Sequence, residues 1–150
     1  MSEHDPVRTI LVGDDGSAGA AAAIAFSAAL AGPLGAEVVV VEAYSPLDEL
    51  ETATPPVDFS RLEAEARDRL ESQRGRVLRD RGIAHRAILV EDPDAIGVLA
   101  RTAREVGADL VVVGSHGRTG WRERILGNVA TKLPHEVSCP VTIVPAPKPV

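Results

Sequence analysis

Five short aliphatic runs, at positions 9–13, 37–41, 87–90, 110–113 and 141–144, set the strongest limit on what this chain folds into. Each run is continuous rather than alternating, which suits strands covered on both faces, as in a mainly parallel sheet. Helical patterns lie between them, so the order reads β-α-β-α-β-α-β-α-β, a doubly wound α/β domain with right-handed crossovers. Ligands of such sheets collect beyond the carboxyl ends of the strands, where strand order reverses.

The first helix should start after Ser17, a good N-cap, and stop at Gly32, Pro33 and Gly35. Its many alanines allow close approach to the sheet. The second, over 60–82, carries Leu62, Ala66, Leu70, Val77 and Leu78 along one side, with Glu63–Arg67 and Glu65–Arg69 as i,i+4 pairs on a solvated face. A third, over 93–106, puts Ile96, Leu99, Ala100 and Ala103 together, and a last one, over 128–137, is bent by Pro134. Segment 45–59 exceeds the usual loop of about 2–6 residues and reads either as a solvated insertion or as a cover over a site.

With 150 residues, 45% hydrophobic and 25% charged, the chain suits one globular domain spanning 1–150. A net charge of -6 argues against a nucleic-acid surface, which needs clustered Lys and Arg. Cys139 is the only cysteine, no charged-then-apolar leader precedes Val7, and the alanine-rich segment is too short to span a bilayer. The expectation is a cytoplasmic protein without a membrane or nucleic-acid partner.

The stretch "GSHGRTGWRERILGN", 114–128, follows the fourth run. Ser115 and His116 suggest a nucleophile, but the elbow pattern G-x-S-x-G fails at Val113. His4, His85, His116 and His135 are scattered and show no metal-ligand spacing, so no protein-held metal is expected. A phosphate site explains more of the stretch. Gly114 and Gly117, through left-handed backbone or close approach, would turn amides into one concavity, and Gly127 and Asn128 open the final helix with unpaired N–H groups. Glycines after a strand also serve as plain turns. Neither a P-loop G-x-x-x-x-G-K-[ST] nor a first-strand G-x-G-x-x-G is present.

The spacing Gly114, two residues, Gly117, nine residues, Gly127, then Asn128 resembles the universal stress protein family, whose ATP-binding members have G-2x-G-9x-G-[ST]. "ILVGDDGS", "ADLVVVGSHGRTG" and "CPVTIVP" extend the resemblance over nearly the whole chain. It implies a sheet ordered 3-2-1-4-5 and a homodimer through the fifth strands, here 140–145. It also implies an ATP or related adenine-nucleotide site, with Mg2+ bridging phosphates. Gly114, Gly117, Gly127, Asn128 and Val129 would hold phosphates and ribose. Asp15 would lie beside the adenosine, Gly13 would line the floor, and the backbone of Ala43, just after the second strand, would recognise adenine.

This chain departs from the pattern in two places. Asn128 replaces Ser or Thr and removes a hydroxyl, while Asp14 adds a second acid beside Asp15, either near a cation or simply facing solvent. Arg118, Arg122 and Arg124 read either as contacts for the phosphate tail or as exposed loop arginines, Trp121 either as a ligand cover or as packed against its loop, and Cys139 as a small buried hydrophobe. The favoured reading is a nucleotide-binding regulator or sensor. Its rivals are a nucleotide-independent interaction protein of the same fold and a slow ATP hydrolase; no catalytic base is identified.

Overall fold

The computed structural model describes residues 5–50, 55–117 and 126–147. Its strands are β1 (Thr9–Gly13), β2 (Glu37–Tyr44), β3 (His85–Glu91), β4 (Leu110–Gly114) and β5 (Val141–Val144). They form one sheet in the order β3-β2-β1-β4-β5, every pairing parallel. Parallel pairing explains the unbroken aliphatic runs, because both faces are covered. Ile10, Val12, Val38, Val40, Leu110 and Val112 enter one core; Leu11, Val39, Val41, Val111 and Val113 enter the other.

The first core lies under α1 (Ala18–Leu34) and a helical arm. Ser17 caps α1 as expected, its hydroxyl accepting from the Ala20 amide at 3.1 Å. Replacing Ser17 with Ala should lower stability by about 1 kcal/mol, read as a lower urea midpoint at unchanged slope. The helix ends within 31–35 as expected, its last residue being Leu34, with Gly32 and Pro33 still inside it. Proline at this last turn forfeits one amide bond, and the end is made by Gly35 at φ 64°, with the Ala36 amide closing onto Ala31 O at 3.1 Å.

The arm is not the single α-helix expected over 60–82. It consists of α3 (Phe59–Asp68), a π-helical turn (Arg69–Arg74) and α4 (Arg76–Asp80). Leu70 and Leu78 are fully buried in the first core, and Glu63 pairs with Arg67 as anticipated, at 3.3 Å. Glu65, however, pairs with Arg61 at 2.8 Å, because Arg69 turns inward to Glu42.

The second core lies under α5 (Ala95–Val106), α6 (Asn128–Lys132) and a 3-10 turn (Leu133–His135). Asp94 caps α5 by accepting from the Gly97 amide at 2.9 Å. The last helix is shorter than expected: Pro134 ends it as a 3-10 turn rather than bending a helix through Val137. Segment 45–59 is not wholly irregular, since α2 (Pro46–Glu49) follows β2 directly. Cys139 is half-buried beside the second core, and burial pushes its thiol up from the ordinary range.

Candidate functional site

The carboxyl ends of β1, β2 and β4 open into a cleft of about 630 Å³. That volume is ordinary for small-molecule sites, and the place is where the chain leaves β1 on one side and β4 on the other. Gly13, Asp15, Ala43, Gly114, Gly117, Gly127, Asn128 and Val129 all line it. Residues far apart in sequence therefore meet around one volume.

Two unequal ends follow from the lining. Val41, Ala43, Leu47, Pro93, Ala95 and Leu99 make a mainly apolar end, with Ser45 and Asp92 beside them. Ala43 lies within β2 rather than just after it. β2 continues past Val41, the partner of Gly13, and there Ala43 pairs with Val90 of β3. Leu47 falls in segment 45–59, one of whose two readings is a cover over a site, and α2 brings it to the cleft.

The other end is made by the loop after β4 and the start of α6. Its glycines work by close approach and not by left-handed backbone. Among the described residues positive φ occurs at Gly16, Gly35, Gly82 and Gly107, not at Gly114, Gly117 or Gly127. A Cβ on Gly114 would stand 2.7 Å from the Gly19 carbonyl carbon, and one on Gly117 would stand 2.6 Å from Asp15 Oδ2. Two amides expected as ligand donors are already used: Ser115 N–H donates to Val144 O at 2.8 Å, and Gly127 N–H to Ser115 O at 2.7 Å. The first intrahelical bond of α6 runs from Thr131 N–H to Gly127 O, so the amides of Asn128, Val129 and Ala130 precede it and are directed out of the helix start.

Ser115 has a structural task that its neighbour obscured in the sequence. It is 7% exposed, and its hydroxyl accepts from the Ala146 amide at 3.1 Å while lying 2.9 Å from His116 Nδ1. With its backbone bonds, it ties β4 to the end of β5 and to α6. His116 lines the cleft.

The turn after β1 holds the two acids. Asp15 Oδ1 accepts from the Ser17 amide and Asp14 Oδ1 from the Gly16 amide, both at 2.9 Å. Asp14 does not face solvent as an exposed turn acid would: it is 5% exposed, and its Oδ2 lies 3.2 Å from Arg74 Nε. Burial pushes its carboxyl above the ordinary aspartate range; the Gly16 amide and Arg74 oppose the shift, Asp15 adds to it, and Arg69 opposes it. The raised folded value means that Asp14 contributes stability below its unfolded value near 3.8, and that this is lost as pH rises through the folded value. Asp14→Asn should therefore gain stability relative to wild type as pH rises from about 4 towards neutrality. Paired thermal melts across that range check the sign; a difference that is flat or falls with pH contradicts it.

Arg118, Trp121, Arg122, Arg124 and His4 lie outside the described residues. Among the described residues no group of three metal-ligating side chains gathers, and no helix is long and apolar enough to cross a membrane.

Sheet order and cleft place the chain among doubly wound α/β domains with a ligand crevice at the switch point. Within that class it belongs to the universal stress protein family, whose family model matches residues 6–145. Universal stress protein Rv2005c of Mycobacterium tuberculosis is 34% identical over 142 residues, covering 94% of this chain and 45% of that protein. The chain thus spans about half the length of the curated relatives it matches. A universal stress family protein from Burkholderia pseudomallei is 32% identical with a TM-score of 0.71, over 95% of this chain and 98% of that one. A universal stress protein solved in complex with cAMP has the same fold, with a TM-score of 0.70 at 24% identity, over 95% of this chain and 100% of that one.

Proposed function

We propose that this chain binds ATP or a related adenine nucleotide in the cleft and acts in the cytoplasm as a stress-responsive sensor or regulator rather than as an enzyme. One observation carries the reading: the Gly114–Gly117 loop, the start of α6, Asp15 and Ala43 converge on a single cleft with a mainly apolar and a polar end. The structure solved with cAMP supports the ligand class. Base and ribose suit the end bounded by Val41, Ala43 and Leu47; phosphates suit the amides of Asn128 and Val129. Charge-assisted hydrogen bonds contribute about 1.5–3 kcal/mol each, so a few reach the roughly 8 kcal/mol of micromolar affinity once entropy is offset.

The residues present fit a nucleotide better than they fit a protein-bound cation. Asp14 is committed to Arg74, and position 128 has no hydroxyl, so Mg2+ would enter on the phosphates. A homodimer would form through β5, the sheet edge beside β4, whose residues are half-buried in the single chain.

Titration of purified protein with ATP, AMP and cAMP should give saturable binding, and a native mass spectrum should show co-purified nucleotide on a dimer. No binding by ligand-free protein would defeat the reading. It would favour instead a nucleotide-independent interaction protein of the same fold, to which the exposed Asn128 already points. Multiple-turnover phosphate release well above that of a Gly127 variant would make the chain an enzyme.

A further inference from the structure

Two buried acids, one just past β1 and one in the neighbouring β2, are each met by an arginine from the same short stretch of the arm. Asp14, just past β1, meets Arg74; Glu42, in β2 and 2% exposed, meets Arg69 at 3.5 Å. An α-helix would not allow this, because five residues at 3.6 per turn point about 140° apart. The π-helical turn does: the Gly75 amide bonds back five residues to Leu70 O at 3.3 Å, and the wider ladder brings Arg69 and Arg74 to one face. Such turns recur at functional sites.

Arg74 does more than neutralise a carboxylate. Its Nη2 lies 3.5 Å from Ser17 O and 3.8 Å from where a Cβ on Gly16 would sit, so the guanidinium covers the 14–17 turn from the arm side. Asp14 shares that turn: one oxygen holds the Gly16 amide and the other faces Arg74. The same turn lines the cleft with Asp14, Asp15 and Ser17. An uncompensated carboxylate at this depth would draw water or move outwards, and the turn would move with it.

We propose that Arg74 is a positioning residue of the cleft, reaching from the π turn to hold the 14–17 turn, through Asp14, in the conformation that offers Asp15 to an adenine nucleotide. This rests on the nucleotide reading of the cleft. It adds a residue of the helical arm to a site otherwise built from strand ends and loops, and makes the arm's seating on the sheet a determinant of affinity.

The test compares wild type with Arg74→Gln, Arg74→Lys and the Asp14→Asn/Arg74→Gln double variant by two readouts. These are amide exchange without nucleotide and affinity for ATP and AMP. Arg74→Gln should speed exchange at Gly16 and Ser17 at least about tenfold while Val38 and Val40 keep their rates, and should weaken both nucleotides about tenfold. Arg74→Lys keeps the charge but not the fork, so it should fall between. The double variant should return both readouts to within about threefold of wild type, because an amide at position 14 still accepts from Gly16 without needing a cation.

Wild-type exchange and affinity in Arg74→Gln overturn the proposal. So does exchange raised uniformly across the strands, which would be a general stability effect, and so does a double variant as impaired as Arg74→Gln. If Arg74→Gln does not fold, Arg74→Lys decides by the same two readouts. If wild type binds no adenine nucleotide, the functional reading fails and the exchange pattern alone decides whether Arg74 holds the turn.

Discussion

Gly114→Val should lower the thermal midpoint by roughly 6–12 °C, since overpacking of about 3 kcal/mol converts at about 2–4 °C per kcal/mol in a domain of this size. The added Cβ would stand 2.7 Å from the Gly19 carbonyl carbon and 2.9 Å from its oxygen. Those are backbone atoms of the first turn of α1, with no side chain to rotate away. The approach is reciprocal, for a Cβ on Gly19 would stand 2.6 Å from His116 O. Helix and loop are pressed together at two glycines, so relief requires moving α1 away from β4. Gly114 is not among the positive-φ glycines, and the penalty is therefore steric alone. A circular dichroism melt within about 2 °C of wild type would show that α1 yields, against the rigidity assumed here.

That result bears on how the glycine spacing is read. Gly114 is required by the fold before it is required by any ligand, and lost binding in a bulky variant would report unfolding as readily as lost contacts. Sequence shows the spacing but not which backbone each glycine touches. The same limit explains what else was and was not legible. Continuous apolar runs located all five strands, and a seryl cap located the start of α1, because these signals depend on residues near one another. The second aliphatic run spans 37–41, whereas the strand continues through Glu42 to Tyr44. The inward turn of Arg69, 27 residues away, helps to make a buried acid there tolerable.

The arm shows the same boundary between local and distant information. Its apolar stripe was legible, and Leu70 and Leu78 are buried as the period implies. The π turn within it was not, because its benefit lies in delivering Arg69 and Arg74 to acids in β2 and just past β1. Asp14 looked like an exposed turn residue for want of that partner. The failed elbow pattern sets Ser115 aside as a nucleophile, but its ties to Val144, Gly127 and Ala146 appear only once the sheet is assembled. The eight positions suggested by family resemblance all line the cleft.

Gly117 separates binding from folding in a way that Gly114 does not. A Cβ there would stand 2.6 Å from Asp15 Oδ2 and 3.8 Å from its Cγ, and among the described residues no backbone atom beyond its chain neighbours comes as close. The obstacle is the tip of a side chain, which can rotate. Rotation takes Asp15 Oδ1 from the Ser17 amide, at a cost of about 0.5–1.5 kcal/mol, while the Ser17 hydroxyl continues to cap α1. Gly117→Ala should therefore lose roughly 1–6 °C in midpoint. Its effect on nucleotide affinity should be larger in proportion, because the group displaced is the carboxylate proposed to lie beside the adenosine. A loss of at least about tenfold, or 1.4 kcal/mol, is expected by calorimetric titration with ATP at a temperature where both proteins are folded. Unchanged affinity in a folded Gly117→Ala protein would remove Asp15 and this part of the loop from the site. A collapse in midpoint matching that of Gly114→Val would show that Gly117, too, belongs first to the fold.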